Sequence, residues 1–376
     1  MRSINFFLIG DFPYGYQNTA RIKSICSEFS KLGYDTQVNL LYPTRFQLES
    51  NAEPQASWES TSIAHLSWST KFQPNKVLRL LQIMHGILVS VFVALRQPKA
   101  SVSYFYNPTL LSTSWALWVL KLRGLKTIVD QTELYSLERW PHIHRLGEQW
   151  AAKHATVFSV ISKPLYDHFK PLRPNTIITP IMVDVERFEV DISAREKTIG
   201  YIGSFHTKDG IPFVLRAFAK ALQKDSALRL VLIGNSLQYP NLAVEIEELG
   251  IQDAVTTSGT VEYDEIPRLL KQCDTLLMNR DSSTFSSYGY PIKLGEYLAC
   301  NRVVLMSDNK GYAEDFTDKQ EVIKFIPQDE ESLVNAIAFR YANLTLAEQI
   351  AVNGYHYAKE HFDKQKLVLN LLQLLD

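Results

Sequence analysis

The sequence predicts an α/β protein of two doubly wound domains, and three observations carry that prediction. The 376 residues are too many for one ordinary hydrophobic core and suit two domains of usual size. Short apolar runs alternate with helix-length segments, the pattern of βαβ units and parallel sheets. The runs fall into two series, parted near residues 185 to 196 by a polar, aperiodic stretch, "ERFEVDISAREK".

In the first half the strand-like runs are "INFFLIG" (4–10), "DTQVNLL" (35–41), "SVSYFY" (101–106), "KTIVDQ" (126–131) and "TVFSVIS" (156–162). In the second they are "KTIGYIG" (197–203), "LRLVLIG" (228–234), "AVTTSG" (254–259), "TLLMN" (275–279) and "RVVLMS" (302–307). The expected domains are 1–185 and 186–355, followed by a helix over 356–376 that crosses back to the first domain. The opening "MRSINFFLIGDF" is interrupted by Asp11 and has no small-residue cleavage pattern, so it reads as a first strand. The most apolar window, residues 77–95, is broken by Arg79, Gln82 and His85 and reads as a core or interfacial helix rather than a membrane span.

Composition narrows the function. A net charge of -1 and the lack of a basic run interleaved with aromatics argue against nucleic acid as a partner. Cys26, Cys273 and Cys300 lie far apart, with no CxxC pair, which argues against a disulfide framework and a zinc site and for a reducing, cytoplasmic setting. Neither a GxGxxG nor a Walker loop is present, so nicotinamide dinucleotides and ATP are poorly supported.

Open parallel sheets bind ligands beyond the carboxyl ends of their strands. Several strands here end in glycine at that edge: Gly10 and Gly15 after the first, Gly203 and Gly210 after the first of the second half, and Gly234 after the next. Each alone also fits an ordinary strand-to-helix turn. The stretch "YGYPIKLGEYLAC" (288–300) says more. Pro291 suits a first helical turn, where its missing N–H costs nothing. The free N–H groups of that turn, with the dipole and the charge of Lys293, can hold a phosphate, and Gly289 lets a ligand approach the backbone. Glu296, about one and a half turns in, is placed to accept hydrogen bonds from a sugar's hydroxyls. The stretch therefore reads as a nucleoside diphosphate site with a ribose clamp. The competing reading is a helix buried by Leu294, Tyr297 and Leu298, with Lys293 and Glu296 solvated.

The same stretch resembles the "PxKLxEYLAxGxPVV" segment of glycosyltransferase family 4, retaining enzymes of the GT-B fold, two Rossmann-like domains facing a central cleft. Further pieces fall in that family's order: "TPIMVDVERF" (179–188), "IGYIGSFHTKDGIPFVLRAF" (199–218), "LRLVLIGN" (228–235) and "VTTSGTVEYDEIPRLLKQCDTLLMN" (255–279). The resemblance covers nearly all of residues 179–307, and more loosely the Gly15 loop and "VDQTELYS". It implies a hexosyltransferase that moves a sugar from a nucleotide-diphosphate sugar, held mainly by the second domain, to a glycan or lipid-linked acceptor, held mainly by the first, in surface polysaccharide or glycoconjugate biosynthesis. No cofactor and no bound metal are implied. Glu296 would bind the donor's ribose, the amides of Pro291 to Leu294 (Ile292, Lys293 and Leu294) would face its diphosphate, and Gly15 would lie under the phosphates.

The chain departs from the family at three positions. The first of the family's two glutamates, eight positions apart, falls on Tyr288, which can still hydrogen-bond a sugar. The basic pair of its "GR…EKG" turn falls on Ser204 and Asp209, with Lys208 one residue out of register. Lys293, and after it Arg280, are the cations expected to restore that charge. His206, close after Gly203, is a second-rank candidate at the phosphates. In the first half, Asp130 and Glu133 end a strand, where an acid can orient an acceptor hydroxyl or the donor sugar; a helix cap is the alternative. His142 and His144 read as exposed loop residues. The helix 77–95, flanked by Lys71, Lys76, Arg79, Arg96 and Lys99, suits peripheral contact with the inner face of a membrane, with a solvated core helix as the alternative. Two other functions fit the same architecture: a nucleotide-sugar epimerase or hydrolase, and a non-catalytic relative that binds a partner.

Overall fold

The computed structural model describes residues 2–9, 11–14, 17–43, 56–137, 141–189, 193, 195–203, 205–281 and 288–375. They form two compact units, Met1–Met182 with Lys364–Asp376, and Val183–Asp363.

The first unit is built on an eight-stranded sheet. Its strands are β1 (Ser3–Leu8), β2 (Asp35–Leu40), β3 (Ser57–Trp58), β4 (Thr61–His65), β5 (Val102–Tyr106), β6 (Lys126–Gln131), β7 (Val157–Val160) and β8 (Ile177–Ile178), in the order β3-β4-β2-β1-β5-β6-β7-β8. Among the described strands only the β3–β4 pair is antiparallel. The inner strands are buried along nearly their whole length, as a sheet covered on both faces requires. Helices α1 (Gln17–Lys31), α2 (Lys76–Arg96), α3 (Ser114–Leu122), α4 (Pro141–His154) and α5 (Lys163–Phe169) connect the strands.

The second unit has six parallel strands: β9 (Arg195–Ile202), β10 (Arg229–Ile233), β11 (Val255–Gly259), β12 (Cys273–Met278), β13 (Val303–Ser307) and β14 (Ile323–Phe325). Their order is β11-β10-β9-β12-β13-β14, a doubly wound sheet whose strand order reverses between β9 and β12. Its helices are α6 (Ile211–Lys224), α7 (Leu242–Glu248), α8 (Ile266–Lys271), α9 (Ile292–Ala299), α10 (Glu330–Ala342) and α11 (Leu344–His361). The amphipathic α6 buries Ile211, Val214, Leu215 and Phe218 in the core of this unit.

The ten expected strands are all present. Sequence periodicity missed β3, β4, β8 and β14, which are short or carry polar residues at the sheet's margins. The C-terminal segment is two helices rather than one: α11 closes before Phe362, and α12 (Lys364–Gln373) packs on α1 in the first unit. The chain thus returns at Lys364 rather than at 356. The stretch expected to be a featureless linker contains a short helical turn, Val185–Phe188, whose Val185 and Phe188 are buried. His142 and His144 lie on α4, not in a loop, and the His144 ring packs against Tyr135.

Candidate functional site

The reversal of strand order between β9 and β12 is where a doubly wound sheet opens a crevice for a ligand. Among the described residues, 203 and 205–210 follow β9 there, and 279–281 and 288–291 follow β12. The first is held tightly against its neighbour. The Gly203 N–H donates to the Ile233 carbonyl and the Gly234 N–H to that of Gly259, both at 2.9 Å. Gly234 has φ +142°, and a Cβ on it would lie 1.8 Å from the Gly203 oxygen, so only glycine fits. A Cβ on Gly203 would meet the Tyr201 hydroxyl at 2.7 Å and Lys293 Nζ at 3.0 Å. Both glycines therefore serve the packing of the strand ends.

Lys293 is in the first turn of α9, as the sequence suggested, and its charge is paired inside the protein. The side chain is buried, and Nζ donates to the Tyr201 hydroxyl at 2.6 Å and to Asp209 Oδ1 at 3.0 Å. Burial opposes ionisation of Asp209, but the Lys293 ammonium, helped by Arg280, outweighs it and holds the carboxyl below its ordinary value. Burial, then the Asp209 carboxylate, push the Tyr201 phenol well above its own. The position where the resembled family carries a base thus holds an acid that neutralises Lys293.

Arg280, ranked second as a replacement cation, changes places with Lys293. It is 5% exposed, and its Nε has no hydrogen-bond partner among the described residues. Its backbone N–H donates to Ser307 Oγ at 2.9 Å, which fixes the residue at the end of β12. Beside it, Asn279 Nδ2 donates to the Asp209 carbonyl at 2.9 Å, while the buried Oδ1 has no partner. Buried polar atoms are nearly always paired, so two orphans side by side at the strand reversal mark where a ligand would complete the network.

Helix α9 starts one residue later than expected. Pro291 is its N-cap, with ψ 120°, and the Leu294 N–H closes onto the Pro291 carbonyl at 3.0 Å. Ile292 and Lys293 supply the remaining amides of the first turn, and Leu294 itself is core. Both readings of this helix thus hold in part: Leu294, Tyr297 and Leu298 are buried, and Lys293 is not solvated. The Tyr297 hydroxyl accepts the Ile202 N–H at 2.8 Å, tying α9 to the end of β9. Glu296 is half-buried, and its carboxylate makes no hydrogen bond or ion pair among the described residues. Burial raises its pKa, offset in part by Arg187 and Lys293. A carboxylate kept short of water without a donor is the group a ribose diol would satisfy.

Nearby, Gly289 has open space where a Cβ would be, Tyr288 is half-buried, and the His206 side chain is exposed. Lys208 belongs to the short helical turn Thr207–Asp209. Gly15 and Ser204 lie outside the described residues. Sequence reasoning missed Phe205, which is buried with φ +57°, a costly conformation for a bulky side chain. With Gly234, Ser236, Leu242, Thr257 and Gly259 it lines a pocket at the carboxyl ends of β10 and β11.

In the first unit, Asp130 is buried, and both its oxygens are taken. Arg21 Nε donates to Oδ2 at 2.7 Å and Nη2 to Oδ1 at 3.1 Å, and the Tyr104 hydroxyl also donates to Oδ2. Arg21 donates further to the carbonyls of Thr179 and Pro180. Asp130 therefore pins the end of this unit to its sheet, rather than facing an acceptor or capping a helix. Glu133 is half-buried, and its charge helps to push the neighbouring Tyr106 and Tyr135 phenols upward, after burial as the larger cause. Its N–H and that of Thr132 are held by Asn107 Oδ1.

Comparison with known proteins agrees with this architecture. Residues 182–357 match the family described as Glycosyl transferases group 1. The human GDP-Man:Man(3)GlcNAc(2)-PP-Dol alpha-1,2-mannosyltransferase is 28% identical over 174 residues, 41% of this chain and 34% of that one. The chain spans about a third of the length of the curated relatives it matches. Sucrose-phosphate synthase from Thermosynechococcus elongatus superposes with a TM-score of 0.76 at 15% identity, covering 99% of this chain and 98% of that one. The Anabaena protein HepE, solved with UDP-glucose, gives 0.72 at 16% identity, covering 100% and 99%. The chain thus has the GT-B fold of glycosyltransferases, and its segment 182–357 carries the match to the group 1 family.

Proposed function

We propose that the protein is a retaining, metal-independent glycosyltransferase that moves a sugar from a nucleotide-diphosphate sugar to a glycan or lipid-linked acceptor in surface polysaccharide or glycoconjugate synthesis. The observation that carries the reading is Glu296, half-buried with no hydrogen bond to its carboxylate, one turn inside a helix that starts where the strand order reverses, within the segment that matches group 1 glycosyltransferases. A relative solved with UDP-glucose and another named for GDP-mannose support a nucleoside diphosphate sugar as donor.

In this reading the Glu296 carboxylate accepts the ribose hydroxyls, and the nucleobase enters the pocket beside Phe205 and Thr257. The first-turn amides of α9 and the Arg280 guanidinium, through its unpartnered Nε, stabilise the negative charge that grows on the diphosphate as the sugar's anomeric carbon leaves it. Lys293 acts through Asp209 and Tyr201 by fixing the helix start. The acceptor belongs to the first unit, where Glu133 is the acid in position to orient a hydroxyl.

The test is turnover of UDP-, GDP- and ADP-sugars with polyprenyl-diphosphate-linked saccharides, with the product's anomeric configuration read by NMR. Nucleotide release that needs acceptor and keeps the donor's configuration supports the reading. Release without acceptor favours a hydrolase or epimerase, and inversion refutes the retaining assignment.

A further inference from the structure

Helix α2 is turned inside out for a helix on a protein surface. The residues it buries are Gln82, Gly86, Ser90 and Ala94, a line of small or polar side chains at four-residue spacing. The residues it exposes are Val77, Leu81, Met84, Leu88, Phe92 and Leu95, each about half exposed or more, on the opposite face along its full length. A helix on a soluble surface does the reverse. The orientation is built in. Gly86 approaches the sheet so closely that a Cβ would lie 1.9 Å from the Leu41 carbonyl oxygen. Gln82 Nε2 donates to the Ser69 and Lys71 carbonyls, and Arg123 Nη1 holds the Ala94 carbonyl near the far end. The neighbouring α3 adds Trp115, Trp118 and Leu122, also about half exposed or more. A contiguous apolar surface of this kind is covered by something in the working protein.

Charge selects what covers it. Between Glu59 and Asp130 the chain has no acidic residue and eight Lys and Arg residues, in a protein whose net charge is -1. Lys76, Arg79, Arg96, Lys99 and Lys121 are all exposed at the margins of the apolar face, and the Arg96 guanidinium lies 3.9 Å from the centre of the Phe92 ring. A second copy of the chain would bring two such basic rims together with no acid on the segment to answer them. An apolar face with basic edges and flanking tryptophans matches instead a bilayer interface with anionic headgroups. The helix is also long and apolar enough to cross a membrane. The packing of its Gln82–Ala94 face on its own sheet keeps it lying flat.

We propose that the α2–α3 face docks the first unit onto an anionic lipid bilayer, with α2 parallel to the surface, its leucines in the acyl boundary and its basic rim on the headgroups. The proposal does not depend on the transferase reading and is tested without any donor. Purified full chain is sedimented with vesicles of phosphatidylcholine alone and of phosphatidylcholine with phosphatidylglycerol, at low and high salt. The variants are Leu81→Ser/Leu88→Ser on the exposed face and Lys76→Gln/Arg96→Gln on the rim, with melting curves to confirm that each folds.

Wild type is expected on the anionic vesicles, with a partition reduced at least about tenfold by either variant and weakened by salt. Vesicle-bound protein should also show blue-shifted tryptophan emission from Trp115 and Trp118. Wild type that stays in solution with anionic vesicles overturns the proposal, as does binding that the folded leucine variant retains. A stable dimer that the leucine variant dissociates, in protein that ignores vesicles, assigns the face to a second copy and equally overturns it.

Discussion

Asp209→Asn is a direct probe of the unexpected pairing at the start of α9. The substitution keeps the shape of the side chain and removes the charge that answers Lys293, whose Nζ lies 3.0 Å away with both side chains 5% exposed or less. Removing one member of a buried pair leaves the other charge uncompensated and costs about 3–5 kcal/mol. In a unit the size of Val183–Asp363, each kcal/mol moves the melting temperature by about 2–4 °C, so the transition of that unit should fall by roughly 6–20 °C. The assay is calorimetry or denaturant unfolding, fitted unit by unit because a two-unit chain need not melt in one step. Lys293→Met on the same background should recover much of the loss, since an apolar replacement of a whole pair is often neutral. Acid should mimic the single variant. The Asp209 pKa is depressed, so its contribution is present above the unfolded carboxylate value and disappears as pH falls through the folded value. A loss below about 1 kcal/mol with no coupling in the double-mutant cycle would refute the pairing.

Three further outcomes follow from the same geometry. Gly234→Ala places a Cβ 1.8 Å from the Gly203 oxygen at a φ of +142°, and should cost about 3 kcal/mol or more, read as a lowered melting temperature or loss of soluble protein. Asp130→Asn should destabilise the first unit by about 3–5 kcal/mol by stranding Arg21, yet leave nucleotide affinity unchanged; a shift in affinity would return Asp130 to the site. Arg280→Gln should weaken nucleoside diphosphate binding by about 1.5–3 kcal/mol, roughly ten- to 150-fold, and leave a nucleoside without phosphates unaffected, by titration calorimetry.

The parallel sheets were legible because buried strands write themselves as apolar runs between turn residues, and ten of them did. Of the four that escaped, β3, β8 and β14 are too short to show a period, and the five-residue β4, Thr-Ser-Ile-Ala-His, is too polar to stand out as an apolar run. Near the candidate site, the start of the helix that carries Glu296 was legible to within one residue, because a proline at a helix start is a local signal. The Lys293–Asp209 pair was not, since its partners are 84 residues apart and meet only once β9 and α9 are packed. The same distance effect reversed the ranking of Lys293 and Arg280. Asp130 read as an acid to orient a hydroxyl or cap a helix because Arg21, 109 residues earlier, gives no local sign of turning toward it. For α2 the sequence gives the apolar composition without the face. The signal that identifies the face is the line Gln82, Gly86, Ser90 and Ala94, whose four-residue repeat is that of a helix packed by its small side chains.

The central claim is that Glu296 holds the ribose of a nucleoside diphosphate at the start of α9. It is tested most directly by titrating UDP, GDP, ADP and CMP into wild type and Glu296→Ala and following the melting of the second unit. At about 100 times its dissociation constant the right nucleotide should stabilise wild type by about 2.7 kcal/mol. The Ala variant, having lost charge-assisted hydrogen bonds, should bind it about 1.5–3 kcal/mol more weakly. A nucleotide that binds both proteins equally, or no stabilisation by any of them at saturating concentration, would contradict the account.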